Sequence, residues 1–433
     1  MGLFQELTDR YRDHAEPFLL GPAGPLRFAD LVAAAGLPTT MELRPGAVVA
    51  VIGDFSPRAI RQLIQVVEEG GVVVPLTPET RPDHDYFFQA AGVDWVVEGD
   101  DARRLRQTPL DHPLLQELRR RQHPGLILFS TGTTGRPKAI LHDFHFFLAR
   151  YRTPRPTLRT IAFLMFDHIG GVNTLFHTLF NRGCLITPPG RGPDQVMATI
   201  AAHGAELLPT SPTFLRLLLL SGELERGVPP SLKLVTYGTE RMDQGTLQRL
   251  CAQMTGVDFR QTYGMSELSI LRVKSKARDS LWMQVGGEGV RTRVEEGILK
   301  IFSATRMLGY LNAPSPFDAE GWYDTRDLVE QDGPYLRIVG RQSDVINVGG
   351  LKVLPAEIES VALAHPGVLR VKVRGVDNPL TGQLIELTCQ LRPGVELTRT
   401  QLREFLQERL PEAKRPHRIR IGPVTFNHRF KQN

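Results

Sequence analysis

The stretch FSTGTTGRPKAILHD, residues 129–143, joins two apolar runs by a segment of a different kind. Leu126, Ile127, Leu128 and Phe129 read as the end of a buried strand, and Ala139, Ile140 and Leu141 resume the apolar pattern. Between them stand Ser130, Thr131, Gly132, Thr133, Thr134 and Gly135, then Arg136 and Lys138 around Pro137. Such a loop lets backbone N–H groups approach phosphate oxygens, while threonine hydroxyls and Lys138 add donors and charge. It is not a Walker A loop, because Lys138 follows Pro137 and precedes Ala139, where that motif needs Gly-Lys-Ser/Thr. On composition alone, a plain surface turn is the better reading.

Outward from the loop, strand-like and helix-like segments alternate. Residues 47–52 (AVVAVI) read as a strand, 57–69 as a helix ended by Gly70-Gly71, and 72–75 as a second strand. The same order recurs downstream: strand 160–166, helix 172–180, strand 184–186, helix 194–203, then strands 232–235 and 256–262. Strand–helix–strand order predicts parallel sheets covered by helices, an α/β fold. After about residue 297 the pattern changes, and 298–302 and 335–339 read as strands of a smaller antiparallel unit. A polar break at 338–344 precedes a compact α+β segment. It comprises strand 345–348, a Gly349-Gly350 turn, helix 355–364, strands 368–374 and 385–392, and helix 399–409. The boundary is placed near Gln342, giving domains 1–341 and 342–433.

Composition narrows the class. A chain of 433 residues exceeds one ordinary core, and 41% apolar with 23% charged residues is the profile of a soluble globular protein. No apolar run approaches the ~18 residues of a membrane span. The first residues, MGLFQELTDRYRDHAEPF, are charged throughout and lack the apolar core of a signal peptide, and Glu6 stands where a myristoylation signal needs Ser or Thr. Cys184, Cys251 and Cys389 are too scattered for a disulfide framework or a metal motif, which suits a reducing, cytoplasmic setting. A net charge of +5 spread along the chain suits an enzyme for small anions better than a nucleic-acid binder.

The order of residues in 130–138 goes further than their composition. It resembles the phosphate loop of the adenylate-forming superfamily: acyl-CoA synthetases, aryl-acid ligases and the adenylation domains of peptide synthetases. Residues 261–267 (QTYGMSE) resemble the second core motif of that family, and 322–327 (WYDTRD) its ribose-binding motif. Residues 340–344 (GRQSD) through 355–359 (PAEIE) resemble its hinge region, and 49–78 are also similar. The resemblance spans nearly the whole chain. It implies a large N-terminal domain with a small barrel-like unit, and a small mobile C-terminal domain turning near Ser343.

It also implies roles. Ser130, Thr131, Gly132, Thr133, Thr134, Gly135 and Lys138 would clamp the phosphates of ATP, and Glu267 would hold Mg2+. Asp327 and Arg341 would hold the ribose, where a surface ion pair is the plain alternative. Gly238, Thr239 and Glu240 would line the adenine pocket beside Thr262 and Gly264. Tyr263 would stack on the base, or else be plain core. In 163–171 (FLMFDHIGG) the family pattern points to His168 as the gate of the acid pocket, with Gly170, Gly171, Tyr237 and Met265 around it. Phe166-Asp167 imitates the ammonium-binding pair of amino-acid-activating relatives, but one place out of register, so an acid without an amine is favoured. His142 and His145 read as surface or packing residues.

Lys431 falls at the place of the family's catalytic lysine near the chain end, although Phe430 replaces the usual glycine and a basic tail is the plain alternative. Arg326 stands where glycine is common, and Ser343 where the hinge more often has Asp or Lys. The implied reaction is ATP-dependent activation of a carboxylic acid through an acyl-adenylate, followed by transfer to a thiol. The thiol is coenzyme A, passing Gly349-Gly350, or the phosphopantetheine of a carrier protein. A nucleotide-binding relative without turnover is the remaining alternative, motivated by Phe430 and Arg326.

Overall fold

Val48–Ile52 and Val72–Leu76 are buried at every residue, as parallel strands covered on both faces must be. They pair in parallel, Val49 opposite Val73. The crossover between them is the helix Pro57–Glu68, opened by Ser56, whose hydroxyl accepts from the Ala59 amide at 3.2 Å. In the computed structural model, which describes residues 2–130, 136–379 and 381–424, these strands sit inside a seven-stranded sheet. Its order is Gly309–Tyr310, Ala139–Asp143, Gly125–Phe129, Val72–Leu76, Val48–Ile52, Trp95–Glu98, Asp101–Arg104. A second seven-stranded sheet runs Asp258–Gln261, Leu234–Tyr237, Leu207–Thr210, Thr160–Ile161, Leu185–Ile186, Leu19–Gly21, Gly24–Leu26.

The two sheets share one core. Helices Leu3–Tyr11, Pro57–Glu68, Phe144–Ala149 and Ile169–Phe180 contribute to it, with Leu63, Phe144, Phe176 and Leu179 fully buried. The far face of the first sheet is covered by His84–Ala91 and Pro113–Arg121. The far face of the second is covered by Pro193–His203, Pro212–Leu220 and Gln244–Gln253. The expected helix-covered parallel sheets are therefore present.

Two details differ from the alternating pattern. The strands flanking the phosphate loop, Gly125–Phe129 and Ala139–Asp143, pair antiparallel with Phe129 opposite Ala139. The strand expected over 160–166 ends at Ile161. Ala162 still donates to the Ile186 carbonyl at 2.8 Å, but the chain then turns, with the His168 amide on the Met165 carbonyl at 3.0 Å. The apolar residues Phe163, Met165 and Phe166 are buried by that turn, which is why they read as strand.

Among the described residues the remaining chain forms a two-stranded pair, Gly264–Met265 with Ser269–Ile270, and two larger sheets. Six antiparallel strands, Arg272–Ser275, Met283–Gly286, Tyr335–Arg341, Tyr323–Asp332, Ile298–Ser303 and Val290–Glu295, curl around Leu299, Ile301 and Val329 as the barrel-like unit. The small C-terminal domain carries a five-stranded sheet packed against helices Pro355–Leu363 and Arg399–Gln407 through Ile358 and Leu402. In it, Gly349 (φ +56°) and Gly350 (φ +88°) make the two-residue turn between Ile346–Val348 and Leu351–Val353. Two left-handed residues in a two-residue hairpin loop are the type I′ arrangement, so glycine is there for backbone geometry. The Arg241 guanidinium reaches across to the C-terminal domain and donates to the Ala356 carbonyl at 2.8 Å.

Candidate active site

The foot of the phosphate loop is tied shut. The Ser130 amide donates to the Lys138 carbonyl at 3.0 Å, and the Lys138 amide donates to the Ser130 hydroxyl at 2.9 Å. Thr131, Gly132, Thr133, Thr134 and Gly135 lie outside the described residues. The Lys138 side chain is exposed, its Nζ 4.7 Å from the centre of the Tyr310 ring. Pro137 is held through its carbonyl, which accepts from the Tyr86 hydroxyl at 2.7 Å and from Asn312 Nδ2 at 3.2 Å. Asn312 Oδ1 also accepts from the Ala139 amide at 2.9 Å.

Glu267 lies within a tight reversal in which Gly264–Met265 pairs with Ser269–Ile270. A Cβ on Gly264 would come 2.6 Å from the Ser269 carbonyl oxygen, so this close approach requires glycine. The Glu267 side chain is almost buried, and Oε1 accepts from the Tyr310 hydroxyl at 2.7 Å. Its backbone carbonyl accepts from the Met307 amide at 2.8 Å. His142 Nε2 donates to the Ser266 carbonyl at 2.7 Å, and burial lowers its pKa to about 4, so the ring stays neutral. Arg150 grips the same reversal at the Ser269 hydroxyl and the Ile270 carbonyl.

Among the described residues Glu267 Oε2 has no hydrogen bond. Mg2+ characteristically takes one or two carboxylates, several waters and substrate phosphates. A lone free carboxylate oxygen near a phosphate loop fits that donor set. Among the described residues no group of three His, Cys, Asp or Glu side chains could hold a metal by itself.

Asp327 and Arg341 face each other on neighbouring strands. Asp327 Oδ1 accepts from Arg341 Nε at 3.1 Å and Oδ2 from the Tyr263 hydroxyl at 2.6 Å. Burial raises the Asp327 pKa above its ordinary value, against the opposing pull of Arg341 and Tyr263. The Tyr263 ring packs in the core of the barrel-like unit. Arg326 has φ +56°, a left-handed backbone that explains why glycine is common at this place.

Around the expected base pocket, Gly238 abuts Thr262 so closely that a Cβ would collide with its hydroxyl. Thr239 is left-handed at φ +71°. Glu240 accepts from the Thr213 hydroxyl at 2.6 Å and so serves the first turn of helix Pro212–Leu220. The Thr262 amide donates to the Tyr237 carbonyl at 2.7 Å, and the Tyr237 side chain is 1% exposed in the core of the second sheet. His168 begins helix Ile169–Phe180, its Nδ1 accepting from the Gly170 amide at 3.0 Å. Asp167 beside it is buried. Gly171 leaves no room for a Cβ against the Met165 carbonyl, and Met265 is half-buried.

The small domain contributes other sites. Gly349 and Gly350 are exposed at their hairpin tip. Ser343 is exposed in the turn Gln342–Asp344, its hydroxyl donating to Asp344 at 2.9 Å. Lys431 and Phe430 lie outside the described residues. Lys414 is paired with Glu357 at 2.7 Å.

The structure thus gathers Ser130, Lys138 and Glu267 around Tyr310, and Tyr263, Asp327 and Arg341 around one carboxylate. Tyr323 lies between the two groups, its hydroxyl pKa raised by burial and by the Glu267 and Asp327 carboxylates. Sequence reasoning missed Tyr310 and Asn312, and it read His142 as a surface or packing residue without its partner. A histidine inside a wholly buried five-residue strand must find a hydrogen-bond partner, and that was the available signal for His142.

Comparison with known proteins agrees with this geometry. The profile of the AMP-binding enzyme family matches residues 31–287, and that of the AMP-binding enzyme C-terminal domain matches residues 357–425. Among curated relatives, the sulfoacetate–CoA ligase of Cupriavidus necator is 27% identical over 365 residues, 77% of this chain and 71% of that protein. A 2-succinylbenzoate–CoA ligase of a Geobacillus species is 24% identical over 419 residues, 87% of this chain and 84% of that protein. ATP-bound MatB from Rhodopseudomonas palustris superposes with a TM-score of 0.80 at 24% identity, covering 99% of this chain and 97% of that one. The anthranilate CoA ligase AuaEII, in complex with anthranoyl-AMP, gives 0.82 at 18% identity, covering 99% and 95%. Structural likeness at these identities speaks for the fold, whereas the first family profile alone spans more than half of the sequence, from 31 to 287. The chain belongs to the AMP-binding enzyme family, the adenylate-forming enzymes that its phosphate loop resembles.

Proposed function

We propose that this enzyme joins a carboxylic acid to a thiol at the expense of ATP. The acid attacks the α-phosphorus of ATP, pyrophosphate leaves, and the acyl-adenylate then loses AMP to the attacking thiol. The observation that carries this reading is the convergence of the closed loop foot, Lys138 and Glu267 around Tyr310. In phosphoryl and adenylyl transfer little covalent work falls to the protein, and catalysis rests on positioning and on cations at the developing charge. Lys138 supplies one such cation. Mg2+ on Glu267 would neutralise phosphate charge. Asp327 and Arg341 orient the ribose, and Lys431 would serve the reacting carboxylate.

His168, Asp167, Gly170, Gly171 and Met265 form the acid pocket in this reading, with an acid that lacks an amine. Coenzyme A is the favoured thiol, because the relatives named above are CoA ligases. A phosphopantetheinyl carrier protein is the alternative acceptor. The domain boundary falls near Gln342, and the small domain turns about Ser343 to bring Gly349-Gly350 to the site. Three free cysteines suit a cytoplasmic enzyme, and no helix among the described residues is long and apolar enough to cross a membrane.

The test is pyrophosphate release from ATP over a panel of fatty, aryl, dicarboxylic and amino acids, with and without coenzyme A. An acid that releases pyrophosphate alone and yields its CoA thioester when CoA is added is the expected result. No release with any acid class would sink the reading. Release only with amino acids would move the enzyme to the amine-binding branch.

A further inference from the structure

The segment 307–312 (MLGYLN) belongs to no site assigned so far, yet both halves of the phosphate site hang on it. Its two-residue strand Gly309–Tyr310 pairs with Ala139–Asp143, immediately after the loop. Leu308 and Leu311 donate to the Leu141 and Ala139 carbonyls at 2.8 and 2.9 Å. Asn312 then holds the loop's foot at both Pro137 and Ala139. On the other side Met307 holds the Glu267 backbone and Tyr310 its carboxylate. Glu267 and Lys138 come from parts of the chain far apart in sequence and touch the same tyrosine, one at its hydroxyl and one at its ring face.

We propose that Tyr310 is a positioning residue for the phosphate site, fixing Glu267 Oε2 toward the cation and seating the Lys138 ammonium, with Asn312 anchoring the loop. This rests on the adenylating reading above and adds to it the residue that sets the geometry. The physical case has three parts. A glutamate has three rotatable bonds, and a hydrogen bond to Oε1 removes most of that freedom, leaving Oε2 as the directed ligand. An aromatic face attracts an ammonium within about 6 Å, so the ring holds Lys138 without neutralising it. The strand Gly309–Tyr310 is itself pinned to Ala139–Asp143, so the position of the ring is set by the sheet beside the loop.

The competing account is that Tyr310, buried with Ile140 and Met307, merely fills a small apolar cluster. Tyr310→Phe separates the two, because it keeps the ring and the volume and deletes only the hydrogen bond. The measurement is calorimetric binding of a non-hydrolysable ATP analogue at a series of Mg2+ concentrations, with the melting temperature recorded in Mg2+-free buffer. The Mg2+ concentration giving half of the enhancement should rise about 10- to 100-fold. The melting temperature and the metal-free nucleotide affinity should stay at the wild-type values. Tyr310→Leu should additionally weaken binding at saturating Mg2+, since the platform under Lys138 is lost. In a Glu267→Gln background, Tyr310→Phe should move the Mg2+ midpoint no further, a comparison that holds even if either single variant is less stable. An unchanged Mg2+ midpoint in Tyr310→Phe, or a shift that adds in full to that of Glu267→Gln, would overturn the proposal. Binding is read without any acid, so a chain that binds the analogue but turns over no acid would count against the ligase reading and not against Tyr310.

Discussion

Asp327 answers to two partners at once, and that decides what its removal does. In Asp327→Ala the Tyr263 hydroxyl and the Arg341 guanidinium both lose their acceptor, one of them deep in the barrel-like unit. A charge-assisted hydrogen bond to a ribose hydroxyl contributes about 1.5–3 kcal/mol, so the KM for ATP should rise roughly 10- to 100-fold. Asp327→Asn, which keeps an oxygen for Tyr263, should recover much of the stability but little of the KM. Steady-state kinetics with ATP varied, read beside thermal melting, checks both. Arg326 next to it is a different case. Its left-handed backbone strains any side chain, and Arg326→Gly should therefore raise stability by about 1 kcal/mol, seen as a higher urea midpoint. At this scale motifs pointed to Ser130, Lys138, Glu267 and Asp327, and the structure sets Lys138 and Glu267 on one tyrosine and Asp327 between Tyr263 and Arg341. The sequence was silent on Tyr310 and on the partner of His142, because their bonds to Glu267 and Ser266 span 43 and 124 residues and leave no period or spacing to read.

Elements were legible in part where local chemistry marks their ends. Ser56-Pro57 opens a helix, with the serine hydroxyl accepting from the amide three residues on. Thr398 does the same for Arg399–Gln407. Ser211-Pro212 opens a helix in the same way over a segment for which no element was expected. The failure at 160–166 has an equally local cause, since a buried turn and a buried strand carry the same apolar composition. The antiparallel pairing around the phosphate loop was invisible for another reason: strand direction is set by what lies next in the sheet, not by the strand's own residues. The Gly349-Gly350 turn gives the element-scale prediction. Gly350→Ala places a Cβ at φ +88° and should cost about 1–2 kcal/mol, measured by urea denaturation. Thioester formation from a supplied acyl-adenylate should slow in the same variant, because the pantetheine arm would then meet a side chain at the hairpin tip.

The whole molecule turns on how its two domains touch. Near the Arg241–Ala356 bond, Glu359 is half-buried, its Oε1 accepting from the Val373 amide at 2.9 Å. Burial raises the Glu359 pKa, and burial also lowers that of Arg241, so each partner is held against its charged form. The sign follows directly. Between the ordinary value of 4.5 and its raised folded value, the folded chain binds more protons at Glu359 than the unfolded chain does. Stability therefore falls as pH rises through that window. Glu359→Gln keeps an acceptor for Val373 and carries no charge, so its stability should be flatter across the window and higher above it. Chemical denaturation at several pH values measures this, and an identical slope in the variant would refute it.

A contact of this make has a kinetic meaning. In the turning proposed above for the small domain, the bond from Arg241 to a neutral carbonyl and the two charges disfavoured by burial do little to hold the docked orientation. A two-step ligase needs such shallowness, because any orientation held too firmly becomes the slow step of the cycle. Reinforcing the Arg241 contact would then act as a brake on turnover, and the sluggish enzyme would also be the more heat-resistant one.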